Sequence, residues 1–99
     1  MRLTQFQRQI IKEETGRIMG EGVQVLLFGS RTDDSQRGGD IDLYLEVPER
    51  QQQGWRQVLR LNAALQERLG EQRLDIVLHQ PGEPLQAIHL QARKHGIRL

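Results

Sequence analysis

The chain has 99 residues, which is enough for one hydrophobic core, so we expect a single domain over residues 1–99. Its 14 basic and 13 acidic side chains leave a formal charge of +1. A charge so nearly balanced gives no general attraction to nucleic acid or to an anionic membrane. There is no cysteine, which excludes disulfides, thiolate metal sites and a cysteine nucleophile.

No targeting or membrane-spanning segment is apparent in the sequence. The first residues lead into a charged helical pattern rather than an apolar leader, and no stretch approaches the roughly 20 apolar residues that a membrane-spanning helix needs. The sequence therefore predicts a soluble, cytoplasmic protein with no membrane partner and no direct nucleic-acid binding.

The first predicted elements are an amphipathic helix and a short apolar strand. Four apolar residues lie near helical spacing between charged side chains: Leu3, Phe6, Ile10 and Ile18. The helical pattern stops at Gly20. Residues 23–28 are mostly apolar and rich in strand formers, which predicts a strand that ends at Gly29.

A polar, turn-rich segment over residues 30–39 then leads to a second strand over 40–47. Alternation along this strand puts four polar side chains on one face: Asp40, Asp42, Tyr44 and Glu46. A helix over 51–69 is predicted from an apolar stripe of Trp55, Val58, Leu59, Leu65 and Leu69. A third strand over 73–79 and a last helix over 85–95 follow, the helix with Leu85, Ile88 and Ala92 facing inward. The order α-β-loop-β-α-β-α predicts an α/β fold.

Three aspartates in the predicted strands are candidate metal ligands. Asp40 and Asp42 share a face at roughly 6 to 7 Å, where two carboxylates repel by about 2 to 3 kcal/mol. Asp75 interrupts the apolar run of the third strand and lies beside them if the second and third strands are parallel. Three carboxylates suit Mg²⁺, and a pair of such ions can serve phosphoryl or nucleotidyl transfer.

The step from Gly29 to Arg31 offers a complementary set of phosphate donors. A glycine at a strand end lets backbone N–H groups approach a phosphate closely, and the Ser30 hydroxyl adds a donor. Arg31 adds a charged donor. Taken alone, each feature has an ordinary structural explanation, a solvated strand face for the acids and a turn for Gly29 and Ser30. Their combination in this order indicates a site.

These residues together resemble the DNA polymerase beta-like nucleotidyltransferase superfamily. The resemblance rests on Gly29-Ser30-Arg31 after an apolar strand, on Asp40-Ile41-Asp42 opening the next, and on the acid Asp75 in a third strand. Within that superfamily the short chain is similar to minimal nucleotidyltransferases, which are often encoded beside a helical HEPN-type partner in prokaryotic toxin-antitoxin pairs.

The resemblance implies a small mixed three-stranded sheet flanked by helices. It also implies a nucleoside triphosphate, most simply ATP, as the substrate, with two Mg²⁺ ions as cofactors. Gly29 and Ser30 would hold the β- and γ-phosphates, and Asp40 and Asp42 would ligate the metals. Asp75 would ligate the catalytic metal and help to activate the attacking hydroxyl, which in the antitoxin members is a tyrosine of the HEPN partner.

Two other functions remain open from the sequence. The chain could be a non-catalytic antitoxin or nucleotide-sensing module that neutralises its partner by binding alone. It could also be a metal nuclease, but those sites generally need a lysine two residues after the second acid, where this chain has Tyr44. A nuclease would also leave Gly29 and Ser30 unexplained.

Overall fold

The computed structural model of the chain describes residues 3–29 and 40–99. Those residues form three helices and four strands. In chain order they are α1 (Gln5–Met19), β1 (Gln24–Phe28), β2 (Ile41–Glu46), α2 (Gly54–Leu69), β3 (Leu74–His79), α3 (Ala87–His95) and β4 (Ile97–Arg98). No helix in the described part of the chain is both long and apolar enough to cross a membrane.

The strands form one mixed sheet in the order β3-β2-β1-β4. β1 is antiparallel to both of its neighbours, β2 and β4, whereas β2 and β3 are parallel. A parallel pair needs a crossover connection, and α2 supplies it. The predicted class, a mixed α/β fold with a sheet flanked by helices, is confirmed.

Helices cover the sheet on both faces. Alternate residues of β2, namely Ile41, Leu43 and Leu45, are fully buried in a core shared with α1 and α2. α3 lies on the opposite face, because Arg93 of α3 donates a hydrogen bond to the hydroxyl of Tyr44, whose position in β2 faces away from that core. The other polar residues of β2 on that face therefore lie on the side of the sheet that α1 and α2 do not cover.

The sheet has four strands rather than the expected three. The additional strand, β4, pairs with β1 through Leu27 opposite Ile97, and the Leu99 N–H donates to the Val25 carbonyl at 3.0 Å. β4 has two residues and follows α3 directly. A segment so short cannot show the alternation by which a strand is recognised in a sequence.

Part of the apolar stripe predicted on α2 faces outward. Trp55 and Leu59 are 64% and 61% exposed, whereas the helix buries Leu65, which the stripe included, and Leu61, which it did not. At 3.6 residues per turn, Leu59 lies about 200° around the helix from Leu61, so one helix cannot bury both against the same sheet.

Three other apolar residues that we expected to face inward are also exposed: Phe6, Leu85 and Ile88. Ala92, predicted inward on the same helix as Ile88, is fully buried. α3 turns His89 as well as Ala92 toward the sheet, which leaves Ile88 on its outer side.

Candidate functional site

The directions of the strands bring the predicted site residues to one end of the sheet. Because β1 is antiparallel to β2, the end of β1 lies beside the start of β2; because β3 is parallel to β2, it starts there too. Gly29 follows β1, Asp40 directly precedes β2, and Asp42 and Asp75 are the second residues of β2 and β3. The topology thus gathers four of the six predicted site residues. The other two, Ser30 and Arg31, lie outside the described residues.

Asp42 occupies the centre of this arrangement. Its backbone pairs with Phe28 on one side and with Asp75 on the other. Residues paired across strands point to the same face of the sheet, and the Asp42 and Asp75 carboxyl groups lie close enough for a protonated Asp42 to donate a hydrogen bond to Asp75. Asp42 is partly buried whereas Asp75 is exposed, so one carboxyl of the pair is directly open to solvent.

Gly29 brings the backbone at the end of β1 against the Asp42 side chain. Its φ is +80°, a left-handed conformation that favours glycine. A Cβ at this position would overlap the Asp42 carboxylate, and it would lie only 3.0 Å from the carboxylate carbon. Glycine is therefore required here for two separate reasons, the backbone angle and the space that Asp42 occupies.

The surroundings of Asp42 favour its protonated form. Burial is the largest cause, followed by the hydrogen bond with Asp75 and the negative charges of Asp75 and Asp40, and together they raise the pKa of Asp42 from 3.8 to about 6. A carboxylate that is partly desolvated and faces other carboxylates is stabilised by any cation that binds between them. Strongly perturbed acids of this kind are candidates for functional sites.

Asp40 has a basic neighbour that the sequence analysis did not identify. Arg73 directly precedes β3 as Asp40 directly precedes β2, and its Nε lies 3.8 Å from Asp40 Oδ2. The Arg73 side chain is 86% exposed, and exposed ion pairs at such distances are weak. The residue could have been found from the expected parallel register, which makes positions 40 and 73 neighbours.

The three acids do not form a closed metal cage. Across residues 3–29 and 40–99, no group of three carboxylate or imidazole side chains is arranged to hold a metal ion. The structure brings Asp42 and Asp75 together, and it places Asp40 close enough to affect Asp42 by its charge but beside Arg73. The candidate site is thus a carboxylate pair with a third acid next to it.

A second polar cluster lies at the opposite end of β2 and β3. Arg93 Nε donates to the Tyr44 hydroxyl at 3.1 Å, and the same guanidinium pairs with the Glu46 carboxylate. His79 Nδ1 lies 3.5 Å from Glu46 Oε1, and its ring stacks edge-on against His89 at 4.9 Å between centroids. These groups are one another's partners, so the cluster attaches α3 to the sheet. Alternation along β2 predicted only that Tyr44 and Glu46 share the face of Asp42.

Neither the protein families nor the curated proteins provide a relative from which a function could be transferred. No protein-family model matches the chain, and no curated protein matches it either. The geometry of the site and the resemblance of the sequence are therefore the two supports for a proposed function.

Proposed function

We propose that the protein is a Mg²⁺-dependent nucleotidyltransferase. It would transfer a nucleoside monophosphate, most simply AMP from ATP, to a hydroxyl group on a partner protein. The observation that supports this best is the Asp42–Asp75 pair with the Gly29 backbone directly against it. Metal ligands and a glycine that admits close approach of a phosphate are the two parts that nucleotidyl transfer requires.

The acids at this site fit Mg²⁺ by their chemistry. Mg²⁺ commonly uses one or two carboxylates and completes its shell with waters and substrate phosphates, so Asp42 and Asp75 are a sufficient protein contribution. Asp40 can add a third carboxylate if it leaves Arg73, because that contact is long and exposed. When bound, Mg²⁺ neutralises phosphate charge and polarises the phosphoryl oxygens.

The residues of the chain would then act on the substrate in separate ways. Gly29, together with Ser30 and Arg31, would hold the β- and γ-phosphates of the triphosphate. The acceptor oxygen would attack the α-phosphorus, the bond to pyrophosphate would break, and the hydroxyl proton would pass to the Asp75 carboxylate. Asp75 suits this role because it is exposed at the rim of the pair, where the side chain of another protein can reach it.

We propose a HEPN-type protein encoded nearby as the partner and a tyrosine of that protein as the acceptor, which would make this chain the antitoxin of the pair. This assignment rests on the resemblance of the sequence to minimal nucleotidyltransferases. The reaction consumes a nucleoside triphosphate and requires Mg²⁺ and the partner together, which are conditions of the cytoplasm, the compartment that we propose.

The direct test is transfer of labelled nucleotide. The chain is incubated with Mg²⁺, each of the four α-labelled nucleoside triphosphates, and the HEPN-type protein encoded beside it. We expect label on the partner protein, and a decrease of ~100-fold or more with Asp42→Asn, the scale for loss of one group that stabilises the transition state. Glu71→Gln, at an exposed carboxylate outside the site, is the matched control. A folded complex that transfers no label from any nucleotide contradicts the proposal.

A second function, neutralisation of the partner by binding alone, is favoured by one observation. Asp40 is paired with Arg73, and the described residues hold no group of three ligands ready for a metal. The double variant Asp40→Ala/Asp42→Ala distinguishes the two functions in cells that express the partner toxin. Full protection by that variant supports binding alone, and loss of protection by a stably folded variant supports catalysis.

A further inference from the structure

β3 is an edge strand of the sheet, and β2 is its one neighbouring strand among the residues that the structure describes. The carbonyls of Arg73 and His79 accept hydrogen bonds on the β2 side, from Ile41 N–H at 2.9 Å and from Val47 N–H, just after β2, at 3.4 Å. Backbone groups alternate in direction along a strand, so residues 74, 76 and 78 direct theirs away from β2. In the part of the chain that the structure describes, no strand lies on that side of β3.

This edge has few of the features that usually prevent pairing with another strand. Natural edge strands are blunted by short length, charged side chains, proline or a covering element, and β3 carries one such charge, Asp75. β4, at the other edge of the sheet, is only two residues long. β3 has six residues, LDIVLH, without lysine or proline. The two edges of the sheet are therefore not equivalent, and β3 is the one that can accept another strand.

An apolar groove runs along the same edge. Its volume is about 450 Å³, and beside the polar side chains of Gln80 and Glu83 its apolar lining comes from α2 and β3: Trp55, Val58, Leu59, Ile76 and Leu78. Trp55 and Leu59 are among the most exposed large apolar side chains of the described residues. Exposed apolar residues that adjoin one another, unlike scattered ones, mark interaction surfaces.

We infer that this edge and groove bind a second copy of the chain. Two β3 strands would pair in antiparallel fashion around a twofold axis perpendicular to the sheet, which makes one continuous eight-stranded sheet. Such an axis leaves both α2 helices on the same face, side by side. A twofold interface brings the same patch of both copies together, so the Trp55 and Leu59 surface of one copy meets that of the other.

The properties of the surface fit a second copy. A strand edge carries donors and acceptors in equal number and so complements itself, and a net charge of only +1 per chain gives little mutual repulsion. Paired strands lie about 4.8 Å apart and packed helices about 8 to 10 Å apart, so helices above adjacent strand pairs can touch. The two exposed side chains and the rim of the groove offer on the order of 400 Å² per copy, given roughly 150 to 250 Å² for an aromatic residue.

The interface of the dimer is small. A total on the order of 800 to 1,000 Å² is at the low end for interfaces, which is typical of weak, transient contacts, so we expect a dissociation constant on the order of 10 to 100 µM. The dimer would therefore form and dissociate within an accessible concentration range.

Sedimentation equilibrium of the purified chain tests the dimer from about 5 to about 500 µM, a range that brackets the expected constant. We expect a transition from monomer to dimer, weakened by ~30-fold or more in Trp55→Glu/Leu59→Glu, the scale for central interface residues. Phe6→Glu is the matched control, because Phe6 is 66% exposed on α1, which does not line the groove. A chain that stays monomeric throughout, or a dimer that only Phe6→Glu dissociates, overturns the inference.

Amide hydrogen exchange tests the strand pairing separately. We expect the amides of Ile76 and Leu78 to exchange at least tenfold more slowly as the concentration rises through the transition, since the dimer would protect them. The amides of Asp75 and Val77 already face β2, so their exchange should slow less than that of Ile76 and Leu78, by no more than the stabilisation of the whole fold that dimerisation gives. A dimer in which the Ile76 and Leu78 amides keep their monomer exchange rates overturns strand pairing as its basis.

Discussion

Replacing Asp42 by asparagine removes a negative charge that destabilises the folded protein. Because the pKa of Asp42 is raised from 3.8 to about 6, the folded state binds more protons than the unfolded state between about pH 4 and pH 6. The contribution of this group to the free energy of unfolding therefore falls as pH rises through that window and is constant above it. At ~1.4 kcal/mol per pH unit, the free energy of unfolding can fall by at most about 3 kcal/mol through this window. Solvent screening of a partly exposed carboxyl reduces that loss to about 1 to 2 kcal/mol.

We expect Asp42→Asn to be more stable than the unmodified chain by that amount at pH 7 and to lose most of the advantage near pH 4. The asparagine amide can still donate a hydrogen bond to Asp75, as the protonated Asp42 carboxyl does. For a domain of this size, 1 kcal/mol corresponds to about 4 to 8 °C in Tm. A substitution in the proposed catalytic centre would thus abolish activity and raise stability.

Urea unfolding at pH 4 and pH 7, followed by far-UV circular dichroism, measures this difference. Fluorescence is a poor probe because Trp55 is already 64% exposed in the folded chain. Glu71→Gln is the control and should follow the pH profile of the unmodified chain. If Asp42→Asn changes the free energy of unfolding equally at both pH values, or is the less stable protein at pH 7, the reasoning about charge is wrong.

Three further predictions follow from the same structure. Mg²⁺ at ten times its dissociation constant should stabilise the unmodified chain by about 1.4 kcal/mol at pH 7, and Asp42→Asn should show no such gain in Tm. Gly29→Ala and Gly70→Ala both place a side chain at positive φ, at +80° and +83°, but a Cβ at Gly70 meets nothing within 4 Å. In urea unfolding, Gly70→Ala should lower the free energy of unfolding by about 1 to 2 kcal/mol, and Gly29→Ala should lower it clearly more. Equal losses would contradict the contact of Gly29 with Asp42. Arg93→Met leaves the fully buried Tyr44 hydroxyl without its donor and should cost about 1 to 3 kcal/mol, a loss that should shrink in a Tyr44→Phe background if the hydroxyl is its cause.

Much of the fold could be predicted from the sequence because most elements are long enough to show a period. α1, β2 and β3 carry local patterns that predict their type and approximate bounds. The inward side of α2 could not be chosen from sequence, because apolar residues occur on two sides of this helix and only the sheet selects Leu61 and Leu65 over Trp55. The β4 pairing depends on contacts between distant parts of the chain, which no local pattern records.

The candidate site could be predicted where it depends on strand geometry. The adjacency of Asp42 and Asp75 follows from a side-chain period of two and a parallel crossover, both of which the sequence indicates. The pairing of Asp40 with Arg73 was not predicted, although the parallel register makes positions 40 and 73 neighbours, because an exposed arginine has no pattern of its own that marks it as a partner. For Gly29 the sequence suggested a phosphate contact, and the structure adds a separate reason, the Asp42 carboxylate at its α-carbon. The roles of Ser30 and Arg31 stay predictions.

The pairing of β1 with β4 has a consequence for the order in which the chain folds. It joins Leu27 to Ile97, which are 70 positions apart, whereas β2 and β3 join Ile41 to Leu74, which are 33 apart. Loop-closure entropy disfavours early formation of the longer connection, and the pairing of the two residues of β4 stabilises the chain too little to offset that entropy. β4 should therefore dock after the rate-limiting step, so that substitutions at Ile97 accelerate unfolding and leave the folding rate unchanged.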